Sequence, residues 1–200
     1  PAGQIARDYL ARRQLTAQTV TRFGLGFAPD TWDSLVRAMK ALGYSEQELF
    51  DGGLVRHGKS GGVYDTFRNR LMFPVIDVRG NVIGFSGRIL GDGEPKYMNS
   101  PETIVFSKSH NLFALNLAKK SKCGYIILAE GNIDVASLHQ AGFDSAVASL
   151  GTSLTPEQAR LLSRYTGEIV IAYDNDGAGQ KASQRAIGIL EKLEVRVRVL

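Results

Sequence analysis

Three carboxylates stand where apolar stretches of the sequence end. The stretch "YIILAEG", residues 125 to 131, ends on Glu130, and "IVIAYDNDGAG", residues 169 to 179, carries Asp174 and Asp176. Carboxylate oxygens at open, partly hydrated positions suit Mg²⁺, which combines one or two protein carboxylates with waters and substrate phosphates. The three acids therefore predict a site for phosphoryl transfer, in which a metal polarises the phosphate and lowers the pKa of the attacking hydroxyl.

The residues around Asp176 leave other interpretations open. Gly177 and Gly179 allow close approach to a ligand, and the helix that follows offers its N-terminus to an anion. Asp176 could instead only cap that helix. A calcium loop of the EF-hand type is excluded, because Ala178 occupies a ligand position and no glutamate closes the loop. The run "DNDGAG" also resembles the nucleophile motif of haloacid-dehalogenase-type phosphatases, but that motif normally opens its domain and here most of the chain precedes it.

Strands and helices alternate over residues 111 to 200. The predicted order is a helix near 111 to 120, a strand at 125 to 129, a helix at 132 to 141, a strand at 145 to 150, a helix opened by Thr155, Pro156 and Gln158, a strand at 169 to 173, a helix at 178 to 193 and a final strand in "VRVRVL". Such alternation indicates a right-handed, mostly parallel α/β sheet. Ligands bind beyond the carboxyl ends of the strands in these sheets, which is where the three acids fall.

The start of the chain is predicted to be helical. Apolar residues recur at helical spacing within residues 2 to about 52, with Asp30 as a candidate N-cap and Gly43 as a stop for one helix. Ser45 and Glu48 have the spacing of a capping box and predict the start of the next helix.

Residues 62 to 98 change to short β-rich runs. Residues 79 to 81 predict a hairpin turn, and residues 91 to 103 are rich in Gly, Pro and Asn and predict a loop. Basic side chains recur here among aromatic ones, at Arg56, Lys59, Arg68, Arg70, Arg79, Arg88, Lys96 and Lys108. A single Lys or Arg is usually a solvated side chain, but the recurrence favours a groove that follows a phosphate backbone.

Composition limits the class of protein. The chain has 200 residues, 44% of them hydrophobic, which is enough for one large or two small domains. The formal net charge of +4 permits an anionic partner. A single cysteine excludes an internal disulfide and a structural zinc cluster and suits a reducing cytoplasm. The sequence has no apolar run of membrane-spanning length and no signal-peptide pattern, so we expect a cytoplasmic protein without a membrane partner.

Taken together, the motifs resemble one family. "EGNIDVASLHQAGFDSAVASLGTSLT" followed by "IAYDNDGAG" resembles the TOPRIM domain of primases, topoisomerases and some nucleases. "YLARRQLTAQTVTRFGLGFAPDTWDSL", "DTFRNRLMFPVIDVRGNVIGFSGRIL" and "PKYMNSPETIVFSKSHNLFAL" resemble parts of the catalytic core of bacterial DnaG-type primases. The resemblance covers almost the whole chain in the order of that family. A TOPRIM signature alone leaves all three enzyme classes open, and the Arg-rich region before it favours a primase.

The resemblance implies a fold and an activity. The expected fold class is α/β, with an α+β basic subdomain at residues 1–107 followed by a TOPRIM-like, mostly parallel sheet with flanking helices at 108–200. The expected activity is DNA-templated synthesis of short RNA primers for replication by two-metal nucleotidyl transfer. Its expected partners are a single-stranded DNA template, NTPs and an RNA–DNA hybrid, at the replisome in a bacterial cytoplasm.

The resemblance also implies roles for individual residues. Glu130 would be the central acid and take part in general acid/base chemistry, and Asp134, Asp174 and Asp176 would face two or more Mg²⁺ or Mn²⁺ ions. Contacts to template, nucleotide or primer would come from Arg68, Arg70, Arg88, Lys96, Tyr97, Asn99, Ser100 and Lys108. No zinc is expected within these residues.

Several parts of the family pattern do not occur in the 200 residues. These are the amino-terminal zinc module, an Asp-Pro-Asp after the last strand, the helical part of the core and the helicase-binding tail. We therefore expect a catalytic-core fragment that would meet a replicative helicase only through other domains. The alternatives are TOPRIM nuclease or topoisomerase chemistry, and a non-catalytic module that binds single-stranded DNA.

Overall fold

Helices dominate the beginning of the chain. The computed structural model describes residues 3–59, 61–151 and 153–200. The first helices are α1 (Gln4–Arg12), α2 (Ala17–Phe23), α3 (Ser34–Ala41) and α4 (Glu46–Asp51). A three-residue strand, β1 (Gly26–Ala28), separates α2 from α3. The sequence patterns predicted only helices there, because a strand of three residues is too short to show alternation.

The capping and stop signals predicted for α3 and α4 can be compared with the observed ends of these helices. The capping box of α4 is confirmed, since Ser45 Oγ accepts from Glu48 N–H at 3.2 Å and the Glu48 carboxylate accepts from Ser45 N–H at 2.8 Å. Gly43 follows the end of α3 with φ of 93°, in the left-handed region that stops a helix. The prediction that Asp30 is the N-cap of α3 is wrong, because the helix begins only at Ser34.

The middle of the chain forms antiparallel strands. β2 (Val55–His57) and β3 (Val63–Asp65) pair as a two-stranded ribbon. β4 (Arg70–Ile76), β5 (Val82–Ile89) and β6 (Tyr97–Asn99) form a sheet with β1, in the order β1-β4-β5-β6. The hairpin between β4 and β5 confirms the turn predicted at residues 79 to 81. β6 lies in the segment predicted as loop, where pairing with β5 overrides the local composition.

The rest of the chain builds a parallel sheet, as predicted. Its strands are β7 (Ile126–Ala129), β8 (Ala146–Ala148), β9 (Glu168–Ala172) and β10 (Arg196–Val199), in the order β10-β9-β7-β8. Its helices are α5 (Leu115–Ala118), α6 (Asn132–Gln140), α7 (Pro156–Leu162) and α8 (Gly177–Leu190), the last followed by a short 3₁₀ turn. The capping box that opens α7 is also confirmed, with Pro156 at the first helical position.

The apolar core of this sheet fixes its strand ends. Leu128, Val147 and Ile171 on three neighbouring strands are each 0% exposed and belong to one cluster with the helices that flank the sheet. Burial on both faces is typical of parallel sheets and explains why the strands read as continuous apolar runs. In these three strands the polar residues stand at or beyond the strand ends, which is where Glu130 and Asp174 lie.

The chain divides into two compact units. The first comprises Pro1–Pro74 with Ile83–Ser107, and the second comprises Val75–Val82 with Lys108–Leu200. The expected domain boundary between residues 107 and 108 stays a prediction, because compactness alone does not show which segment folds independently. None of the helices within the described ranges is both long and apolar enough to cross a membrane.

Candidate active site and nucleic-acid interface

Glu130 and Asp174 meet at one edge of the parallel sheet. Strands β7 and β9 pair in parallel with Ala129 opposite Ala172, so the residues that follow them leave the sheet side by side. The Glu130 carboxylate accepts a hydrogen bond from the backbone N–H of Asp174, with Oε2 3.2 Å from the nitrogen. Both side chains are exposed. The structure therefore brings together two of the acids that the sequence singled out.

Asp176 and Asp134 each accept backbone hydrogen bonds at the start of a helix. Asp176 Oδ1 accepts from the N–H groups of Ala178 at 2.9 Å and Gly179 at 2.7 Å, so Asp176 is the N-cap of α8. Asp134 lies in the first turn of α6 and accepts from the N–H of Gly131 at 3.0 Å. The capping role that the sequence left open for Asp176 is thus present. A metal-binding role for either residue stays a prediction.

Gly179 is required by the turn that carries Asp174. A Cβ on Gly179 would lie 1.9 Å from the carbonyl oxygen of Asp174 and 2.9 Å from its carbonyl carbon. A Cβ on Gly177 would have no atom within 4 Å. Only Gly179 therefore needs to lack a side chain, because its Cα lies close to the backbone carbonyl of Asp174.

Tyr173 lies between the apolar core and the acidic edge, directly before Asp174 in the sequence. Its ring packs against the apolar cluster of the sheet. Burial raises the pKa of the Tyr173 hydroxyl above its ordinary value, and the negative charge of Glu130 adds to the rise. The phenol therefore stays neutral, and the negative charge at this edge belongs to the carboxylates alone.

The acidic edge suits an open metal site rather than a closed one. Within residues 3–59, 61–151 and 153–200, no three Asp, Glu, His or Cys side chains are grouped to hold an ion. Mg²⁺ commonly takes only one or two protein carboxylates and completes its shell with water and phosphate oxygens. Glu130 and Asp174 offer such hard, exposed oxygens at adjoining strand ends. The donor set fits a divalent cation bound together with a phosphate-bearing substrate.

A basic and aromatic hollow lies in the first compact unit. We call it the first hollow; its volume is about 410 Å³. Three arginines and two acids contribute to its lining, namely Arg56, Arg68, Arg70, Asp30 and Glu94. Trp32 and Tyr64 add aromatic surface. Positive charge in excess beside exposed rings is the combination that single-stranded nucleic acids require.

Trp32 is the most prominent side chain of the first hollow. It is the single tryptophan of the chain and is 64% exposed. The Arg68 guanidinium lies 4.1 Å from the centroid of the Trp32 ring and 5.2 Å from that of Tyr64. This cation–π contact holds Arg68 against the indole. Sequence reasoning identified Arg68 but missed Trp32, whose signal is a lone tryptophan outside any apolar periodic run.

Three of the predicted binding residues are engaged inside the first unit. Arg70 is 5% exposed and donates to the carbonyls of Gly87 and Pro95 at 2.9 and 3.0 Å. Burial lowers the pKa of Arg70, and the charge of Arg68 adds to the lowering. Ser100 is fully buried, and its Oγ accepts from the backbone N–H of Phe85 in β5. The Arg88 guanidinium lies over the ring of Tyr9 in α1. These contacts position strands, and a role in binding stays a prediction.

The other predicted binding residues are placed more openly. Lys96 is exposed, and Tyr97 and Asn99 lie half-buried on β6. Lys108 belongs to the second unit, where its carbonyl accepts from Gln158 Nε2 at 2.9 Å. Apart from Arg68 and Arg70, the predicted binding residues do not line the first hollow in the described part of the chain. Their contacts to nucleic acid or nucleotide stay predictions.

Asp65 positions the aromatic side of the first hollow. This residue is 3% exposed, and its carboxylate accepts from the N–H groups of Leu35 at 2.8 Å and Val36 at 3.0 Å, at the start of α3. Its own N–H donates to the carbonyl of Trp32 at 2.8 Å, and Arg68 donates to its carbonyl. Asp65 thus caps α3 from a distant strand and ties Trp32 to Arg68.

Replacing Asp65 by alanine is expected to destabilise the protein and disorder Trp32. The loss of a cap with two backbone donors should cost about 2 kcal/mol, at the upper end for helix caps. Asp65→Asn keeps one acceptor oxygen and should cost less. Denaturant unfolding measures the first effect, and the emission maximum of Trp32 reports the second.

Asp33→Ala is the matched control for Asp65. Asp33 occupies the N-cap position of α3 without a side-chain capping bond and forms an exposed ion pair with Arg37. Such a pair contributes about 0 to 1 kcal/mol, so this variant should unfold close to the wild type. Equal losses in the two variants would contradict the assignment of Asp65 as the cap.

Comparison with known families covers almost the entire chain. The family described as DNA primase catalytic core, N-terminal domain, matches residues 1–119. The Toprim domain family matches residues 124–200. The two matches follow one another along the chain, with residues 120–123 between them.

Individual relatives and solved structures that match this chain are also DNA primases. A DNA primase of Clostridium acetobutylicum is 49% identical over 98% of this chain and 33% of its own length, and one of Escherichia coli K12 is 42% identical over 94% and 32%. The E. coli primase catalytic core superposes with a TM-score of 0.90 at 40% identity, over 100% of this chain and 65% of its own. A DnaG primase catalytic domain bound to ssDNA superposes with a TM-score of 0.88 at 39% identity. That superposition covers 100% of this chain and 64% of the other.

The chain spans about a third of the length of the curated relatives it matches. Within this chain the primase core family matches first and the Toprim family second. The alignment covers 98% of this chain and two family models match it, so the match does not rest on the Toprim motif alone. This chain therefore belongs to the family of DnaG-type bacterial DNA primase catalytic cores that carry a Toprim domain.

Proposed function

We propose that this chain carries the catalytic and template-binding surfaces for DNA-templated synthesis of short RNA primers in bacterial replication. The observation that carries the proposal is the meeting of Glu130 and Asp174, two exposed carboxylates at the carboxyl edge of the parallel sheet. Its substrates would be NTPs and a single-stranded template, its product an RNA–DNA hybrid, and its place the replisome of a bacterial cytoplasm.

The chemistry would be nucleotidyl transfer. The 3′-hydroxyl of the growing primer attacks the α-phosphate of an NTP, a P–O bond forms, and the bond between the α-phosphate and the leaving pyrophosphate breaks. Bound Mg²⁺ or Mn²⁺, two or more ions in all, would supply charge neutralisation and a lowered hydroxyl pKa. Glu130 and Asp174 would hold the metal, and the carboxylates of Asp134 and Asp176 would contribute further oxygens. Glu130 would also accept the proton that the hydroxyl loses.

The template would occupy the first hollow. A similar DnaG catalytic domain has been solved with bound ssDNA. Trp32 is exposed enough for a base to stack on it, and Arg68 and Arg56 lie beside it to meet phosphates. Stacking tolerates any base, which suits a template of varied sequence.

Trp32→Ala is expected to weaken binding of single-stranded DNA. One lost stacking contact is worth about 1 to 3 kcal/mol, or roughly 5- to 150-fold in affinity. Fluorescence anisotropy of a labelled oligothymidylate measures the loss, and quenching of Trp32 emission in the wild type reports the contact directly. Phe143→Ala removes a similarly exposed ring from the second unit and is the control. An equal loss in both variants would contradict stacking at Trp32.

A primer-synthesis assay tests the activity. Labelled NTP incorporation on a single-stranded template is measured for the 200-residue chain and for a polypeptide extended to the length of its relatives. RNA products that require both template and Mg²⁺ support the proposal. Cleavage of DNA without NTPs would indicate Toprim nuclease chemistry instead. DNA binding without incorporation in the extended polypeptide would indicate a non-catalytic binding module.

A further inference from the structure

A second hollow adjoins the first across Trp32. Its volume is about 400 Å³, close to that of the first hollow. Trp32 and Tyr64 line both, and their rings meet edge to face with centroids 5.5 Å apart. The aromatic pair is therefore a shared wall, and a chain molecule that leaves one hollow over this wall enters the other.

The β2–β3 ribbon presents different side chains to the two hollows. Arg56 lines the first hollow, and its neighbour His57 lines the second. Successive side chains of a strand point to opposite faces, so this division follows from the strand geometry. Across the ribbon Arg56 is opposite Tyr64, and His57 is opposite Val63, which lines the second hollow. The ribbon thus gives each hollow its own cationic or titratable group.

The chemistry of the second hollow suits an anion. Lys59 lines it and is exposed, and no acidic side chain does so among the described residues. The first hollow, in contrast, contains both Asp30 and Glu94. Gly61 and Gly62 have φ of 88° and 75°, and a Cβ on either would meet no atom within 4 Å. Gly61 and Gly62 line the same hollow as Lys59 and leave space for a ligand beside their backbone.

We propose that the second hollow binds the continuing part of the same single DNA strand, with Lys59 contacting a backbone phosphate. The proposal rests on the proposed function, because the strand must first occupy the first hollow. The template path then extends over Trp32 to Lys59, Gly61 and Gly62. His57 stacks on Phe50 with centroids 4.6 Å apart, which holds the imidazole at the rim of this path.

Length-dependent DNA binding tests the second hollow. Anisotropy is measured with labelled oligothymidylates of about 2 to about 12 nucleotides, a range that begins below the usual site sizes for single strands. Lys59→Ala should leave the shortest oligonucleotides unaffected and weaken the longer ones by roughly threefold at low salt, with a salt slope reduced by about 0.7. Lys59→Arg should restore both values. Lys120→Ala, which removes an exposed charge from the second unit, is the matched control.

The outcomes separate the two proposals. Equal binding by Lys59→Ala and Lys120→Ala at every length, while Trp32 emission is still quenched by DNA, would overturn the second hollow and leave the template proposal standing. Absence of any DNA binding or quenching in the wild type would overturn both. A loss with Lys59→Ala that is the same for short and long oligonucleotides would also overturn the inference, because Lys59 would then belong to the first hollow.

Discussion

Replacing Glu130 by glutamine is expected to lower templated RNA synthesis by about 10²- to 10⁴-fold, the usual contribution of a positioned acid–base group. Glutamine keeps the size of the side chain and can still accept from the N–H of Asp174, so the fold should persist. It removes the negative charge that would attract a divalent cation and the group that would take up a proton. Single-stranded DNA affinity should not change, because the residues of the first hollow lie in the other compact unit.

Two measurements complete the test of Glu130. Primer synthesis is compared at several Mg²⁺ and Mn²⁺ concentrations, and Mn²⁺ binding is measured directly by titration calorimetry without nucleotide. Glu191→Gln removes an exposed carboxylate elsewhere in the second unit and should behave as the wild type in both. Full activity and unchanged Mn²⁺ binding in Glu130→Gln would show that the acidic edge is not the metal site.

Gly179→Ala is expected to damage both stability and activity. The added methyl would lie 1.9 Å from the carbonyl oxygen of Asp174, and the hydrogen bonds from Ala178 and Gly179 to Asp176 hold the start of the helix against that turn. Overpacking of this kind costs about 1 to 3 kcal/mol or more, and each kcal/mol lowers the Tm of a chain of this size by about 2 to 4 °C. Any relief moves Asp174 away from Glu130. Primer synthesis should therefore fall even at temperatures where the variant is folded.

Gly177→Ala is the matched control in the same turn. Its Cβ would meet no atom within 4 Å, and alanine is a better helix former than glycine. This variant should be as stable as the wild type and keep its activity. If Gly179→Ala unfolds at the same temperature as Gly177→Ala, the close approach of Gly179 to Asp174 does not constrain the turn.

Local signals in the sequence predicted much of the fold. Ser45 with Glu48, and Thr155 with Gln158, predicted the starts of α4 and α7, because a capping box is made within four consecutive residues. The alternation of apolar runs with helices predicted the parallel sheet and, through it, the edge at which Glu130 and Asp174 meet. Family motifs then identified the primase core, since they cover both units in order.

Contacts between residues far apart in the sequence were not predicted by the same reasoning. Asp30 has a residue type that caps helices, but α3 begins only at Ser34, and Asp65 takes that role from about thirty residues along the chain. Trp32 and the two hollows depend on this contact. Arg70 and Ser100 have the residue types of ligand-binding groups. Arg70 donates to the carbonyls of Gly87 and Pro95, and Ser100 accepts from the N–H of Phe85, contacts that form only when β4, β5 and β6 are side by side.

The sequence by itself determined the order of strands and helices in the parallel sheet, the family and the acids at the strand ends, because each depends on neighbouring residues or on motif order. Only the tertiary structure decided which acids meet. It joins Glu130 to the N–H of Asp174 and turns one oxygen of Asp176 into a helix cap. The physical reason is that a carboxylate binds whichever donors the packed backbone brings within hydrogen-bonding distance, and that packing is set by a core the acids do not enter.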